Sequence, residues 1–182
     1  MFNAYEMFGL KPVFSLDLEK LEETYIRTIQ QIHPDQHVYR SAEERKKALE
    51  EAAKINEAYR ILKDPLLRAQ HLWGLEGCGY SFETSRTPEI SASSQILMES
   101  MAFRESLEEA VCPEKIGQLL QEATKNMDLI LTELHAAFEA HDRVKAHTLI
   151  ERLGYLRKFA QEAQEKLWFL EDEMEEKKGL SH

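Results

Sequence analysis

The feature that most constrains this chain is a long run of apolar residues near its C-terminus, spaced alternately by four and three positions. Because an α-helix has about 3.6 residues per turn, this spacing places the side chains on one stripe of a helix. The stripe consists of Leu149, Leu153, Leu156, Ala160, Ala163, Leu167, Leu170 and Met174. A long helix at 142–177 is therefore predicted.

Two preceding segments complete a predicted three-helix bundle. Residues 113–140 have the same spacing, and residues 91–111 form a further helix. The stripe of the middle helix consists of Ile116, Leu119, Ala123, Met127, Leu131, Leu134 and Phe138. Long helices with such heptad-like stripes bury them against one another. No segment shows the alternating pattern of a strand.

The apolar spacing in the N-terminal part of the chain predicts a helical hairpin. A short aromatic helix ends at Gly9, and a helix at 17–32 follows. Its stripe is Leu18, Leu21, Tyr25, Ile29 and Ile32. Ser41 and Glu44 form a capping-box pattern that opens a helix at 42–63. The stripe of that helix is Ala48, Ala52, Ile55, Tyr59 and Leu62. A shorter helix is predicted at 65–75.

Composition divides the chain into two parts. Gly, Ser, Thr and Pro are frequent from 77 to 90, which is typical of a linker. We therefore predict an all-α protein with an N-terminal domain at 1–75, a linker at 76–90 and a C-terminal domain at 91–182. The formal net charge of -10 argues against nucleic acid and against an anionic membrane surface as partners. A protein partner is expected.

Cysteine content and hydropathy bear on the compartment. Only two cysteines occur, Cys78 and Cys112, and their separation suits neither a metal site nor a disulfide framework. No apolar run approaches the roughly 20 residues of a membrane span, and the N-terminus does not resemble a signal peptide. A reducing compartment is expected: the bacterial cytoplasm, or the mitochondrial matrix if a transit peptide has been removed.

The loop between the two hairpin helices contains His33, Pro34, Asp35 and His37, for which several interpretations are open. Pro34 stops a helix, so the loop is first of all a polar turn. His33, Asp35 and His37 are also metal-ligand types, and a metal-dependent enzyme is the alternative hypothesis. No nucleophile pattern accompanies the histidines. The third interpretation is a rigid recognition element for a partner.

A resemblance favours recognition. His33-Pro34-Asp35 between two antiparallel helices resembles the J domain of DnaJ-type co-chaperones. Tyr25, the run INEAYRILKDPLLRAQHL at 55–72 and FGL at 8–10 match as well. With QILMESMAFRESLEE at 95–109, the whole chain resembles the HscB-type co-chaperones of iron-sulfur cluster assembly, in which a J domain precedes a C-terminal three-helix bundle.

The resemblance implies a co-chaperone, not an enzyme, with no cofactor and no metal. The implied partners are an HscA-like, DnaK-type chaperone, whose ATP hydrolysis it would stimulate, and an IscU-type scaffold protein, which it would deliver. A J-protein with an unrelated client is the other alternative hypothesis. The implied chaperone-binding residues are His33, Pro34, Asp35 and Arg27.

The helix before the tripeptide departs from the usual basic face of a J domain. Lys20 and Arg27 are its only cations, and Gln36 occupies the position where a Lys often follows the tripeptide. Electrostatic steering is therefore weak or is relocated to a basic cluster. That cluster comprises Arg40, Arg45, Lys46 and Lys47, which equally fit a solvated helix start.

The helix at 91–111 has two apolar sectors. On a helical wheel, Ile96, Phe103, Leu107 and Ala110 form a core stripe, whereas Leu97, Met98 and Met101 occupy another sector. The second sector either packs against the N-terminal domain or is a docking surface. By resemblance, the positions that contact the scaffold are Leu97, Met98, Met101, Arg104, Glu105 and Glu109, with Tyr155 as a neighbour on the last helix.

Overall fold

The computed structural model describes residues 2–32, 41–76 and 90–179; at 90–93, 95 and 175–179 only the backbone is described. Within these ranges the chain forms a 3-10 turn at Glu6–Phe8 and six α-helices, with no strand. The helices are α1 (Leu18–Ile32), α2 (Ala42–Lys63), α3 (Pro65–Leu75), α4 (Ile90–Glu109), α5 (Pro113–Glu139) and α6 (Arg143–Gly179). The all-α prediction is confirmed.

The chain separates into two compact units, residues 1–85 and 86–182. In the N-terminal unit the segment before α1 is anchored by a fully buried aromatic residue. Tyr5 donates a hydrogen bond from its hydroxyl to the Val13 carbonyl, 2.9 Å away. Gly9 ends the 3-10 turn at φ 62°, in the left-handed region that glycine adopts without strain. Tyr5 therefore anchors this segment in the core of the unit.

Helices α1 and α2 pack as a hairpin through buried aliphatic residues and one aromatic pair. Leu21 of α1 and Ile55 of α2 are buried. The rings of Tyr25 and Tyr59 stack with centroids 4.0 Å apart. The predicted stripe was wrong at Leu18, which is 46% exposed, because burial in α1 begins only one turn later, at Leu21.

The predicted capping box at the start of α2 is confirmed. The Ser41 hydroxyl accepts a hydrogen bond from the Glu44 amide at 3.2 Å, and the Glu44 carboxylate accepts one from the Ser41 amide at 2.9 Å. These bonds satisfy amides that a helix start leaves without intrahelical partners. Helix α2 therefore begins with a complete capping box.

The junction between α2 and α3 contains a buried arginine. The Asp64 carboxylate caps α3 by accepting hydrogen bonds from the amides of Leu66 and Leu67. Only 8% of the Arg68 surface is exposed to solvent. Its Nη1 donates to the Leu62 carbonyl at 2.6 Å, and its guanidinium lies 5.2 Å from the ring centre of Phe14. Arg68 thereby connects α2, α3 and the segment before α1.

Helices α4, α5 and α6 form the predicted bundle in the C-terminal unit. Residues 140–142 connect α5 to α6, which contribute most of the buried side chains. Those on α5 are Ile116, Ala123, Ile130, Leu134, Ala137 and Phe138, and those on α6 are Ala146, Leu149, Ile150, Leu153, Leu156, Phe159 and Ala163. The predicted stripe of α6 was wrong at Met174, which is 44% exposed. Among the described side chains of α6, burial ends at Ala163.

Helix α4 is fastened to α6 by aromatic and polar contacts. Phe103 packs on Phe159 with ring centroids 4.8 Å apart. Arg152 donates to the Glu99 carboxylate at 2.9 Å, and Lys166 donates to the Leu107 carbonyl at 2.6 Å. These contacts fix which side of α4 faces the bundle and which side faces solvent.

Candidate functional site

The histidine-proline-aspartate tripeptide of the sequence analysis lies outside the described residues. His33, Pro34, Asp35, His37 and Arg40 all belong to the stretch between α1 and α2 that the structure leaves out. The metal-binding alternative rests on the same stretch and stays untested. The tripeptide follows directly on the last residue of α1, Ile32.

Two cations of α1 have different surroundings. Lys20 forms an ion pair with Asp17, with Nζ and Oδ2 separated by 2.9 Å, and both groups are exposed. The hydrogen bond from Lys20 lowers the pKa of Asp17 below its usual value, so the carboxylate stays charged beside the lysine. Arg27 is exposed on the same helix, nearer to the tripeptide. The weakly basic face expected from the sequence therefore depends on Arg27.

Part of the basic cluster lies in the first turns of α2. Arg45, Lys46 and Lys47 are exposed there, and Lys46 is 4.0 Å from the carboxylate of Glu50. A pair at that distance between exposed groups adds little stability. These side chains are open to solvent near the start of α2, which fits either interpretation of the cluster.

The second apolar sector of α4 is exposed, and we call Leu97, Met98 and Met101 the α4 patch. Leu97 is 60%, Met98 68% and Met101 55% exposed. The opposite sector behaves as predicted, since Leu107 and Ala110 are buried. Both interpretations require these three side chains to lie outside the core of the C-terminal unit, and they do.

Charged residues border the α4 patch. Arg104 lies 3.9 Å from the Glu162 carboxylate of α6, an exposed pair that contributes little stability. Glu105 and Glu109 are exposed. At a rise of about 1.5 Å per residue, Glu109 lies roughly 18 Å along the helix from Leu97, at the far end of the surface. The predicted scaffold-binding residues of α4 therefore share one long face.

Tyr155 of α6 joins this surface through a cavity. A cavity of about 300 Å³ lies between α4 and α6 and is lined by Ile96, Leu97, Ser100, Glu151 and Tyr155. The Tyr155 hydroxyl donates to the Ser100 carbonyl at 3.3 Å. Burial raises the pKa of Tyr155 to about 12, against an opposing effect of Arg104, so the hydroxyl stays protonated.

Sequence reasoning missed two features of this surface. Glu151 lines the cavity, and the Arg152–Glu99 pair lies where α6 meets α4. Both depend on the rotation of α4 relative to α6, which helical spacing alone does not specify. Either helix taken separately offers no signal for them.

The described residues contain no group of three His, Cys, Asp or Glu side chains that could hold a metal ion. Cys112 is a free, exposed thiol at the start of α5, and Cys78 lies outside the described residues. None of the helices in the described ranges has the length and apolar character needed to cross a bilayer.

Comparison with protein families assigns both units. Residues 3–71 match the DnaJ domain, and residues 92–164 match the HSCB C-terminal oligomerisation domain. The N-terminal unit is thus a J domain, which makes this a J-domain protein with an Hsp70-type chaperone as its partner. A chain with both domains in this order belongs to the HscB family of co-chaperones.

Individual relatives agree. The chain is 33% identical to the co-chaperone protein HscB homolog of Bordetella avium, over 88% of this chain and 94% of that protein. It is 31% identical to the homolog of Mannheimia succiniciproducens, over 89% and 94% of the two chains. The recognition drawn from the sequence is confirmed.

Solved structures show the same fold. Chaperone HscB from Vibrio cholerae matches with a TM-score of 0.79 and 29% identity, over 92% of this chain and 99% of that one. Human co-chaperone protein HscB matches with a TM-score of 0.80 and 22% identity, over 90% and 81%. At 22% identity, the match to the human protein shows a common fold only.

Proposed function

We propose that this co-chaperone stimulates the ATPase of an HscA-like, DnaK-type chaperone and delivers an IscU-type iron-sulfur scaffold protein to it. The observation that supports delivery most directly is the exposed α4 patch in a unit separate from the J domain. One unit would engage the chaperone while the other holds the client.

The chaperone would be engaged by His33, Pro34 and Asp35 with help from Arg27. Pro34 fixes one backbone dihedral, so the two flanking side chains lose little conformational entropy on binding. Asp35 offers carboxylate oxygens to cationic groups of the chaperone. Arg27, exposed on α1, adds a cation near the same end of the hairpin.

The scaffold protein would dock on the α4 patch. Methionine and leucine side chains adapt to a partner surface, and the cavity beside Leu97 and Tyr155 can receive one apolar side chain of the partner. Arg104, Glu105 and Glu109 would form the polar rim that orients the partner. Tyr155, neutral at physiological pH, provides an uncharged wall for the cavity.

The protein would catalyse no reaction itself and would need no cofactor. The chemistry, ATP hydrolysis, belongs to the chaperone partner. The expected compartment is the bacterial cytoplasm, in keeping with the bacterial relatives. A metal-dependent activity of His33, Asp35 and His37 is the competing hypothesis, and a tightly bound metal lost in His33→Ala would support it.

His33→Gln tests the proposed chaperone contact. We expect this variant to lose stimulation of the chaperone ATPase, because the amide cannot reproduce the imidazole in the tripeptide. Thermal unfolding should be unchanged, since position 33 lies between helices and outside both core stripes. Full stimulation by the variant would refute the proposed role, and a large loss of thermal stability would assign His33 to folding instead.

A further inference from the structure

An exposed aromatic pair lies on α6 where the helix leaves the bundle. Trp168 is 60% and Phe169 62% exposed, and their ring centroids are 5.3 Å apart. The other tryptophan, Trp73, is only 9% exposed. Two adjacent, exposed aromatic side chains form a contiguous apolar surface of the kind that is enriched at protein interfaces.

Carboxylates surround this aromatic pair. At about 100° per residue, Glu165 and Asp172 lie about 60° and 40° around the helix from Trp168, between it and Phe169. Both are exposed. Glu162 and Glu173 fall just beyond Phe169 on the same side. The aromatic rings and the acidic side chains therefore share one face, which we call the α6 face.

Carboxylates outnumber cations in the part of α6 around the aromatic pair: residues 161–173 contain Glu162, Glu165, Glu171, Asp172 and Glu173. Lys166 is the one Lys or Arg in residues 161–173. Its ammonium group donates to the carbonyls of Leu107 and Glu108, at 2.6 and 3.2 Å, and so lies against the end of α4. Residues 161–173 therefore carry a net negative charge, and Glu165 and Asp172 lie between the two rings on the helical wheel.

The α6 face is distinct from the α4 patch. Trp168 lies 13 residues beyond Tyr155, or roughly 20 Å along the helix. The match to the HSCB C-terminal oligomerisation domain ends at residue 164, before the aromatic pair. A binding role of the α6 face is therefore independent of scaffold binding at the α4 patch.

We propose that the α6 face is a docking site for a cationic, Lys- or Arg-rich segment of another protein. Cationic side chains would lie over the faces of Trp168 and Phe169, an attraction that increases when both groups are desolvated. Glu165 and Asp172 would pair with neighbouring cations of the same segment. Like charges disfavour two copies meeting through this face, and negative potential disfavours nucleic acid and anionic membranes.

The two tryptophans supply a built-in test. The full-length protein with ¹⁵N-labelled indoles is titrated with a Lys-rich alanine peptide of about four helical turns, and the two indole N–H signals are followed by NMR. Trp168→Phe assigns the signals. We expect a saturable, salt-sensitive shift of the Trp168 signal with the Trp73 signal unmoved. Matched peptides with Glu or acetyl-lysine in place of Lys should cause no shift.

Charge-neutral variants locate the binding site. Glu165→Gln combined with Asp172→Asn should weaken the peptide at least about fivefold. The matched control is Glu122→Gln with Asp128→Asn, which removes two exposed carboxylates from α5 and should bind as the wild type does. Trp168→Ala should abolish saturable binding of the peptide in isothermal titration calorimetry, while circular dichroism stays that of a folded protein.

Three outcomes of the peptide titrations would overturn the proposal. They are no shift of the Trp168 signal with the Lys peptide, an equal shift with the Glu or acetyl-lysine peptide, and equal weakening in the α5 control. A shift that depends on protein concentration without peptide, together with a dimer in sedimentation, would assign the α6 face to a second copy of this chain and would also overturn it. ATPase stimulation should be normal in Glu165→Gln/Asp172→Asn, which separates this test from that of the proposed function.

Discussion

Individual residues show how the J domain depends on a few buried polar contacts. Arg68 brings a guanidinium into the junction of α2, α3 and the segment before α1. His71 accepts a hydrogen bond at Nε2 from the Ala4 amide, 3.0 Å away, and stacks on Tyr5. Both residues hold the N-terminal segment against α3, so each makes a prediction for stability.

Arg68→Ala should strongly destabilise the N-terminal unit. The change removes a charge-assisted hydrogen bond to the Leu62 carbonyl and the contact with Phe14, and it leaves a helix-end carbonyl buried without its donor. A loss of about 2–4 kcal/mol in the free energy of unfolding is expected. Urea unfolding measures it.

Arg60→Ala is the matched control for Arg68→Ala. It removes an arginine from the same region whose guanidinium pairs with the Glu57 carboxylate at 2.7 Å on the exposed surface of α2. We expect little change in the urea midpoint for this variant. Equal effects of the two substitutions would contradict the assigned role of Arg68.

The N-terminal unit should become less stable as the pH falls below the ordinary pKa of histidine. Burial lowers the pKa of His71 in the folded protein, so the unfolded chain binds a proton more readily. The stability that neutral His71 contributes is complete above its unfolded pKa of about 6.5 and is lost as the pH falls through the folded pKa.

The pH dependence can be measured by urea unfolding between neutral and acidic pH, with Trp73 fluorescence recorded in a Trp168→Phe background. His71→Phe is the comparison, because it can retain the ring stacking but cannot be protonated. The stability difference between the two proteins should change with pH. A constant difference would show that His71 does not titrate in this way.

At the scale of the helix, apolar spacing predicts the existence of each element and its ends to within a few residues. Helices α2 and α3 begin and end where the capping box and Pro65 predict them. Spacing extended the buried stripes too far at Leu18 and Met174, because periodicity records which face of a helix is apolar and not where the neighbouring helix stops. The cavity between α4 and α6 required the packed structure.

The α4 patch can be tested by replacing its three apolar side chains. Replacing Leu97, Met98 and Met101 together by Ser should weaken binding of the scaffold protein by at least about a hundredfold, since buried apolar anchors contribute most of the energy of an interface. The melting temperature should hardly change, because all three side chains are already exposed. Isothermal titration calorimetry and thermal unfolding give the two quantities.

Leu107→Ser is the contrasting variant on the same helix. Leu107 is buried, so this change should lower the melting temperature clearly. If the triple variant loses as much stability as Leu107→Ser, the α4 patch belongs to the fold and not to a docking surface.

At the scale of the whole molecule, the proposed function assigns one partner to each of the two units. The family, the fold and the order of the two domains were predictable from motifs in the sequence, since His33-Pro34-Asp35 and the run at 55–72 are specific in combination. The α6 face was not predicted, because helical spacing does not show that Trp168 and Phe169 are exposed. Apolar spacing alone suggests burial along the whole of α6, whereas none of its described side chains beyond Ala163 is buried.

The proposed function requires that scaffold binding by the C-terminal unit increases the stimulation of the chaperone ATPase by the J domain. We would measure steady-state ATP hydrolysis by the DnaK-type chaperone with this protein and the IscU-type scaffold added separately and together, and compare the wild type with His33→Gln and the triple α4 variant. We expect stimulation by the pair that exceeds the sum of the separate effects, and loss of this excess in both variants. Stimulation by the wild type that is indifferent to the scaffold protein would contradict the proposed function.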